Sequence, residues 1–233
     1  MKKIGIIVFA AALVVGLVVS NIFSFGRVTD RLFNFSIDFS GEKGSGRMAS
    51  ELRDLRGFKA VDVGGVFEVE ITAGKDFEVE VEADDNLLPL IRTEVNNGVL
   101  EIESDGRISP TGKLYVRISA PDINDLSISG AVNVTLNDIK NSSLSVDSSG
   151  ASKIKIAGET AKFTVDTSGA AKVDAENLRA IDACIDGSGA SHIDVNVSGE
   201  LNADLSGASK VVYSGTPSTI NKKTSGAGKV SQK

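Results

Sequence analysis

The triplet Ser-Gly-Ala returns six times in the second half of the chain, and its spacing restricts the fold more than any other feature. It stands at Ser129-Gly130-Ala131, Ser149-Gly150-Ala151, Ser168-Gly169-Ala170, Ser188-Gly189-Ala190, Ser206-Gly207-Ala208 and Ser225-Gly226-Ala227, with glycines 20, 19, 20, 18 and 19 residues apart. Aligned on the glycine, the position four residues later is always aliphatic: Val134, Ile154, Val173, Ile193, Val211 and Val230. Four residues earlier stand Leu126, Val146, Val165, Ile185 and Ala203, and two further upstream Leu144, Phe163, Ala183, Leu201 and Ile220. These columns are the expected core.

A second set of turn formers falls about halfway between triplets, at Asn141, Gly158, Asn177, Gly199 and Gly215. Each repeat then holds two short strands and two turns, too little to close a core alone. Stacking the repeats at the ~4.8 Å strand separation buries the aliphatic columns and pairs the backbone of every inner coil. The prediction is an all-β fold, a parallel β-solenoid with coils of about 19 residues and two main sheets. A sandwich of antiparallel hairpins gives no reason for one turn chemistry to recur in one register. Within the solenoid, Gly130, Gly150, Gly169, Gly189, Gly207 and Gly226 form the corner, because glycine takes positive φ without penalty. The serine column is expected to hydrogen-bond from coil to coil.

Composition agrees with short strands and turns: 24 Gly, no Trp and 41% apolar residues among 233. The lone Cys184 excludes an intrachain disulfide, and one Cys with one His cannot complete a zinc shell. No cofactor is implied.

The first 25 residues carry Lys2 and Lys3 followed by an uncharged run over 4–25, long enough to cross a bilayer as a helix. This N-terminal hydrophobic helix is either a signal peptide cut after Ser20 or an uncleaved anchor, and its length favours the anchor. Either fate exports the remainder to the cell envelope, on the periplasmic or surface side. Residues 26–56, with the Gly- and Ser-rich stretch 38–54, read as a linker. Residues 57–128 read as acidic N-terminal strands of the folded domain, and 129–233 as its solenoid repeats.

The acidic segment shows strict alternation. Val69 and Ile71 oppose Glu68 and Glu70, and Val79 and Val81 oppose Glu78, Glu80 and Glu82. Asp85 or Asn86 is placed to cap a short helical turn. Between Asp62 and Asp105 thirteen carboxylates face only Lys75 and Arg92. That balance, with a net charge of −6 for the chain, disfavours nucleic acid as a partner.

In the repeats, Asp147, Asp166, Asp186 and Asp204 form a column three residues before the glycine. Lys153, Lys172, His192, Lys210 and Lys229 form a basic column three residues after it, headed by Asn133. The structural reading is that the two columns neutralise each other across the corner. The alternative makes the aspartates Ca²⁺ ligands, although no dense calcium loop is present. His192 occupies a lysine slot with no nucleophile beside it, and Cys184 aligns with the outward Ser145, Thr164 and Asn202. Charges repeated once per coil argue for architecture instead of a catalytic cleft, so no catalytic residue is assigned. The expected partner is an envelope or extracellular polymer or protein, with residues 4–25 meeting the membrane. A β-helix enzyme acting on a glycan and an envelope-stress module are the alternatives.

Gly44-Ser45-Gly46, "FKAVDVGGVFEVEI", "VEADDNLLPLIRTEV", "LEIES" and "LYVRISAPDINDLSISGA", together with the repeats, give a sequence that resembles the bacterial head GIN domain family of auto-transporter adhesins, from about Gly57 to the C-terminus. The resemblance implies a right-handed β-helix with glycine-centred turns, shaped like a pectin lyase but carrying no catalytic residues. It also implies a role in surface attachment.

Overall fold

The computed structural model describes residues 41–233 and places them in one compact unit. The expected hydrophobic helix over 1–25 lies outside the described residues. Among the described residues, no helix is long and apolar enough to cross a membrane. The unit is all-β, and its one helical element is the 3-10 turn Leu88–Leu90.

Strands Asn133–Gly150, Lys153–Gly169 and Lys172–Gly189 each run unbroken from one Ser-Gly-Ala corner to the next. They pair in parallel and in register, so that Gly130, Gly150, Gly169 and Gly189 lie directly above one another. Gly189 is followed by shorter strands, His192–Val197, Glu200–Leu205, Lys210–Ser214, Thr219–Thr224 and Lys229–Gln232, which continue the stack. The six corners bound five windings of a β-solenoid. Strands leading into the corners form one face, here the approach face, and strands leaving them form the exit face.

The corner explains the triplet. Each glycine has φ between 73° and 117°, a region that side chains rarely enter. The carbonyl of each glycine before the last also accepts the N–H of the alanine one coil on: Gly130 from Ala151 at 2.9 Å, Gly150 from Ala170 at 2.8 Å, Gly189 from Ala208 at 2.7 Å. A Cβ on Gly150, Gly169 or Gly207 would stand 2.5–2.6 Å from the carbonyl oxygen of the glycine below. Conformation and close approach therefore both select glycine. The triplet serines do not bond to one another as a ladder. Ser149 and Ser188 donate instead to the carbonyls of Ile128 and Thr167 in the preceding coil.

The aliphatic columns are inside. Val134, Ile154, Val173, Ile193 and Val211 are buried, as are Leu126, Val146, Val165, Ile185, Ala203, Leu144, Phe163, Ala183 and Leu201. Ile220 is 39% exposed because Thr219–Thr224 is the last tier of the approach face. In that tier Lys222 takes the slot of Ala203, and a charge in a core column blunts an edge strand against further pairing. The halfway turns are not one column. Asn141 stands against Thr160, Gly158 against Ile139 and Leu178, and Asn177 against Ala157. Register shifts at Leu136/Ile139 and Lys155/Ala157 absorb the unequal lengths.

The solenoid begins earlier than the triplets. Strand Ala60–Gly65 pairs in parallel with Asp125–Gly130, placing Gly64-Gly65 against Ser129-Gly130. Val66 then occupies the alanine place of this corner and is 66% exposed. Glu68–Ala73 continues this tier on the exit face. Beyond it, Val99–Ser104 pairs in parallel with Ala60–Gly65, and Tyr115–Ala120 with Glu68–Ala73. A tier that comes later in sequence is thus outermost, and the chain passes over the earlier tier to reach Asp125. Antiparallel strands close this end: Ile91–Asn96 on Val99–Ser104, Glu78–Asp84 on Tyr115–Ala120, and Met48–Arg53 on Glu78–Asp84.

Two expectations are corrected here. The segment read as linker contains the strands Glu42–Lys43 and Met48–Arg53, both paired into the unit. Its Gly-Ser composition serves a hydrogen-bonded clasp in place of a tether. Asp84 is 1% exposed and accepts Gly46 N–H at 2.8 Å, Thr111 N–H at 2.9 Å and the Thr111 hydroxyl at 2.6 Å. Asn86 accepts Ser45 N–H and donates to the Lys43 carbonyl, both at 2.8 Å. Asp85 holds the Ser45 hydroxyl and Arg47. Asp85 and Asn86 accordingly do not cap the helical turn, whose N-cap is Leu87 without a side-chain bond.

Candidate binding faces

Alternation within each strand puts every second side chain outside, and parallel register turns one exposed residue per coil into a file. On the approach face Asp62, Ser127, Asp147, Asp166, Asp186 and Asp204 stand in successive tiers, with Glu101 beyond Asp62 and Lys223 after Asp204. Only Asp204 of this file has an ion pair, with Lys223 at 2.6 Å. Desolvation raises the Asp62 carboxyl above its ordinary pKa, with Glu101 and Asp147 adding to the effect. Asp125 is raised by desolvation too, then by Asp147 and Asp62. The strands bring these carboxylates into a row, one per tier. Among the described residues, no group of three or more His, Cys, Asp or Glu is arranged to hold a metal ion.

On the exit face the register runs Tyr115, Glu68, Asn133, Lys153, Lys172, His192, Lys210, Lys229. The neighbouring exterior file is Arg117, Glu70, Thr135, Lys155, Asp174, Asp194, Val212. His192 Nε2 lies 3.2 Å from Asp194, its half-buried neighbour on the same strand. The proposed neutralisation across the corner does not occur as ion pairing. No salt bridge among the described residues joins the Asp147–Asp204 file to the Lys153–Lys229 file, because the corner turns the two outward on different faces.

The acidic strands are better balanced than their sequence suggests. Arg117, from beyond the acidic segment, bridges Glu80 and Glu82, each at 3.0 Å, and Lys113 binds Glu68. Lys113 holds the Glu68 carboxyl below its usual range. Glu70 faces Arg117 in register, and Glu78 opposes Ser119. Where this acidic end meets the first lysines, a shallow groove of about 570 Å³ is lined by Glu68, Glu70, Tyr115, Arg117, Lys153 and Lys155. Sequence reasoning missed Arg117 and Lys113 because their partners lie across strands inserted out of order. It missed the Gly64-Gly65 corner because the triplet letters differ, although Asp62, Val61 and Val69 fit the same template around Gly65.

Cys184 is exposed and stands between Thr164 and Asn202 in the approach-face file.

Fold and surface together define a class: a stacked-coil β-solenoid whose outer faces display one charged residue per tier. The particular family follows from the sequence. Residues 57–217 match the profile of the family described as "putative auto-transporter adhesin, head GIN domain", and the chain belongs to it. No curated protein matches the chain. Among solved structures, a putative adhesin from Bacteroides fragilis superposes with a TM-score of 0.69 at 20% identity, covering 83% of this chain and all of that one. That likeness shows the fold. A putative adhesin from Parabacteroides distasonis, at 19% identity over 83% of this chain and 100% of that one, has a TM-score of 0.47.

Proposed function

We propose that this protein is a non-enzymatic binding module of the cell envelope, presenting the faces of its solenoid to an extended polymer or to a protein partner. The observation that carries this reading is repetition: ionisable groups are displayed once per tier along a rigid stack, as in Lys153, Lys172, His192, Lys210 and Lys229. Catalysis on a glycan calls for carboxylates converging in one cleft, with a separation set by the mechanism. A solenoid face instead offers length and regular spacing, the properties that suit repeat proteins to extended ligands. Membership of a family described as adhesins points the same way. In this reading the coils wind right-handed, and the domain is exported and held at the membrane by residues 4–25.

The test is to present the full chain to an array of envelope glycans and matrix polymers while assaying each for cleavage. Saturable binding without new reducing ends is the expected result. Turnover of any glycan would replace the proposal with the β-helix enzyme.

A further inference from the structure

Some cations of the described chain are held by carboxylates and others, the exit-face lysines among them, are not. Arg47, Arg53, Arg56, Arg92, Arg117, Arg179, Lys113, Lys223 and Lys233 each hold a carboxylate within ion-pair distance. Lys153, Lys172, Lys210 and Lys229 hold none, and all four are exposed. Yet parallel register sets them in one file with His192, at the ~4.8 Å separation of neighbouring strands. Like charges so close repel by up to about 1 kcal/mol per pair even in water. The Asp147–Asp204 aspartates face the other way, on the approach face, and of the two aspartates in the flanking exit-face file, Asp174 and Asp194, only Asp194 reaches the row, at His192. The arrangement is a row about 19 Å long of four lysines without ion pairs, with His192 in its middle tier, bounded at one end by Asn133 and Glu68.

From this geometry we infer that the file is a track for a linear acidic polysaccharide, laid along the stack axis with its carboxylates against the lysines. The inference rests on the binding-module reading above and names its ligand class. A linear uronate chain is extended on the same scale as the strand separation, so it can follow the tiers without bending, and the flexible lysine side chains reach carboxylates that turn about its axis. The flanking file supplies what sugar hydroxyls need: Asp174 and Asp194 accept hydrogen bonds beside Lys172 and His192, and Lys155 adds a further cation beside Lys153. A nucleic acid fits less well. Between Lys153 and Lys229 neither exterior file carries a Phe, Tyr or Trp ring on which successive bases could stack, the single imidazole of His192 being the one aromatic surface, and the cations are lysine point charges instead of arginine forks. The Asp147–Asp204 file repels the same polymer from the approach face, which confines it to one side.

The experiment measures binding of polygalacturonate to the full chain across a salt series, with neutral dextran, polyphosphate and single-stranded DNA alongside. Binding of polygalacturonate but not dextran is expected, weakening as salt rises. The variant Lys153→Gln/Lys172→Gln/Lys210→Gln is expected to lose at least about tenfold in affinity, and the slope of log affinity against log salt to fall by about 2. The exposed lysines of a control variant, Lys59→Gln/Lys75→Gln/Lys140→Gln, lie off the file, so it should bind as the native chain does. Unfolding curves of both variants confirm that the fold is intact. Equal binding of dextran, tighter binding of polyphosphate or DNA, or full retention by the first variant would each overturn the track. If another glycan of the array binds and polygalacturonate does not, the track fails while the binding-module reading stands; if nothing binds, the track fails and the binding-module reading is left with its protein partner alone.

Discussion

The repeated coils and the N-terminal end of the molecule solve the same problem by opposite means. From Gly130 to Gly226 every coil has the same corner, and backbone bonds join each corner to the next in the same register, the shifts falling midway between corners. Between residues 41 and 120 no two tiers are alike. Order there comes from side chains that reach across 27 to 40 residues: Asp84 to Gly46 and Thr111, Asp85 to Ser45, Arg117 to Glu80 and Glu82. The repeat relies on backbone geometry that tolerates only glycine at one place. The end relies on particular polar groups that satisfy an otherwise open stack. A stack can propagate through identical steps, but its termination requires groups that occur once.

The comparison breaks most sharply at two glycines. Gly169→Ala puts a methyl 2.6 Å from the Gly150 carbonyl oxygen at φ 114°, so a loss of roughly 3 kcal/mol or more is expected in chemical denaturation. Gly46→Ala, in the clasp at φ 81°, meets nothing within 4 Å and should cost only about 1 kcal/mol. Equal losses would show that conformation, not stacking, selects the corner glycine.

The next largest effect lies in the clasp. The Thr111 hydroxyl and N–H, then the Gly46 N–H, hold the Asp84 carboxyl below its ordinary pKa. A lowered folded-state pKa gives stability that is present above the unfolded value of about 3.9 and lost as pH falls through the folded one. Asp84→Asn should therefore lower Tm by roughly 5 °C at pH 7, and the gap to the native chain should close as melting curves are taken down to acid pH. A gap that does not vary with pH would mean the charge plays no part.

Smaller effects separate two tiers of the corner interior. The Ser148 and Ser152 hydroxyls bond each other at 2.6 Å, while the Thr167 hydroxyl, one coil on, is buried without a protein partner. Ser148→Ala strands its partner and should cost about 1–2 kcal/mol, whereas Thr167→Val should gain up to about 1 kcal/mol. Urea titration of the two single variants gives the sign of each.

The smallest effect is at the acidic file. Burial and the nearby Glu101 and Asp147 raise the Asp62 pKa, so its ionised form weakens the fold as pH rises through that value. Asp62→Asn should raise Tm at pH 7 by about 1–2 °C and have no effect at pH 3, opposite in sign to Asp84→Asn.

The solenoid, its core columns and the outward files were legible in the sequence because each is a local property repeated in step. A glycine every 19 residues or so fixes a corner, and an aliphatic four residues to either side fixes what the corner encloses. The same reasoning placed Lys153 to Lys229 in one row. It could not tell that the aspartate row faces elsewhere, since the angle between the faces is not encoded in spacing. It also took 26–56 for a linker, because Gly44, Ser45 and Gly46 have loop composition whether they lie free or are bound.

The sequence by itself determined that this chain coils, how long each coil is and which residues line its inside. Those features depend on φ preferences and hydrophobic period within a single repeat. Only the tertiary structure decided the order of the first tiers, the clasp between Gly46 and Asp84, and which cations keep a carboxylate. Each of those depends on contacts between segments far apart in the chain, and a contact is set by which strand edge lies open to receive it, information that no local pattern carries.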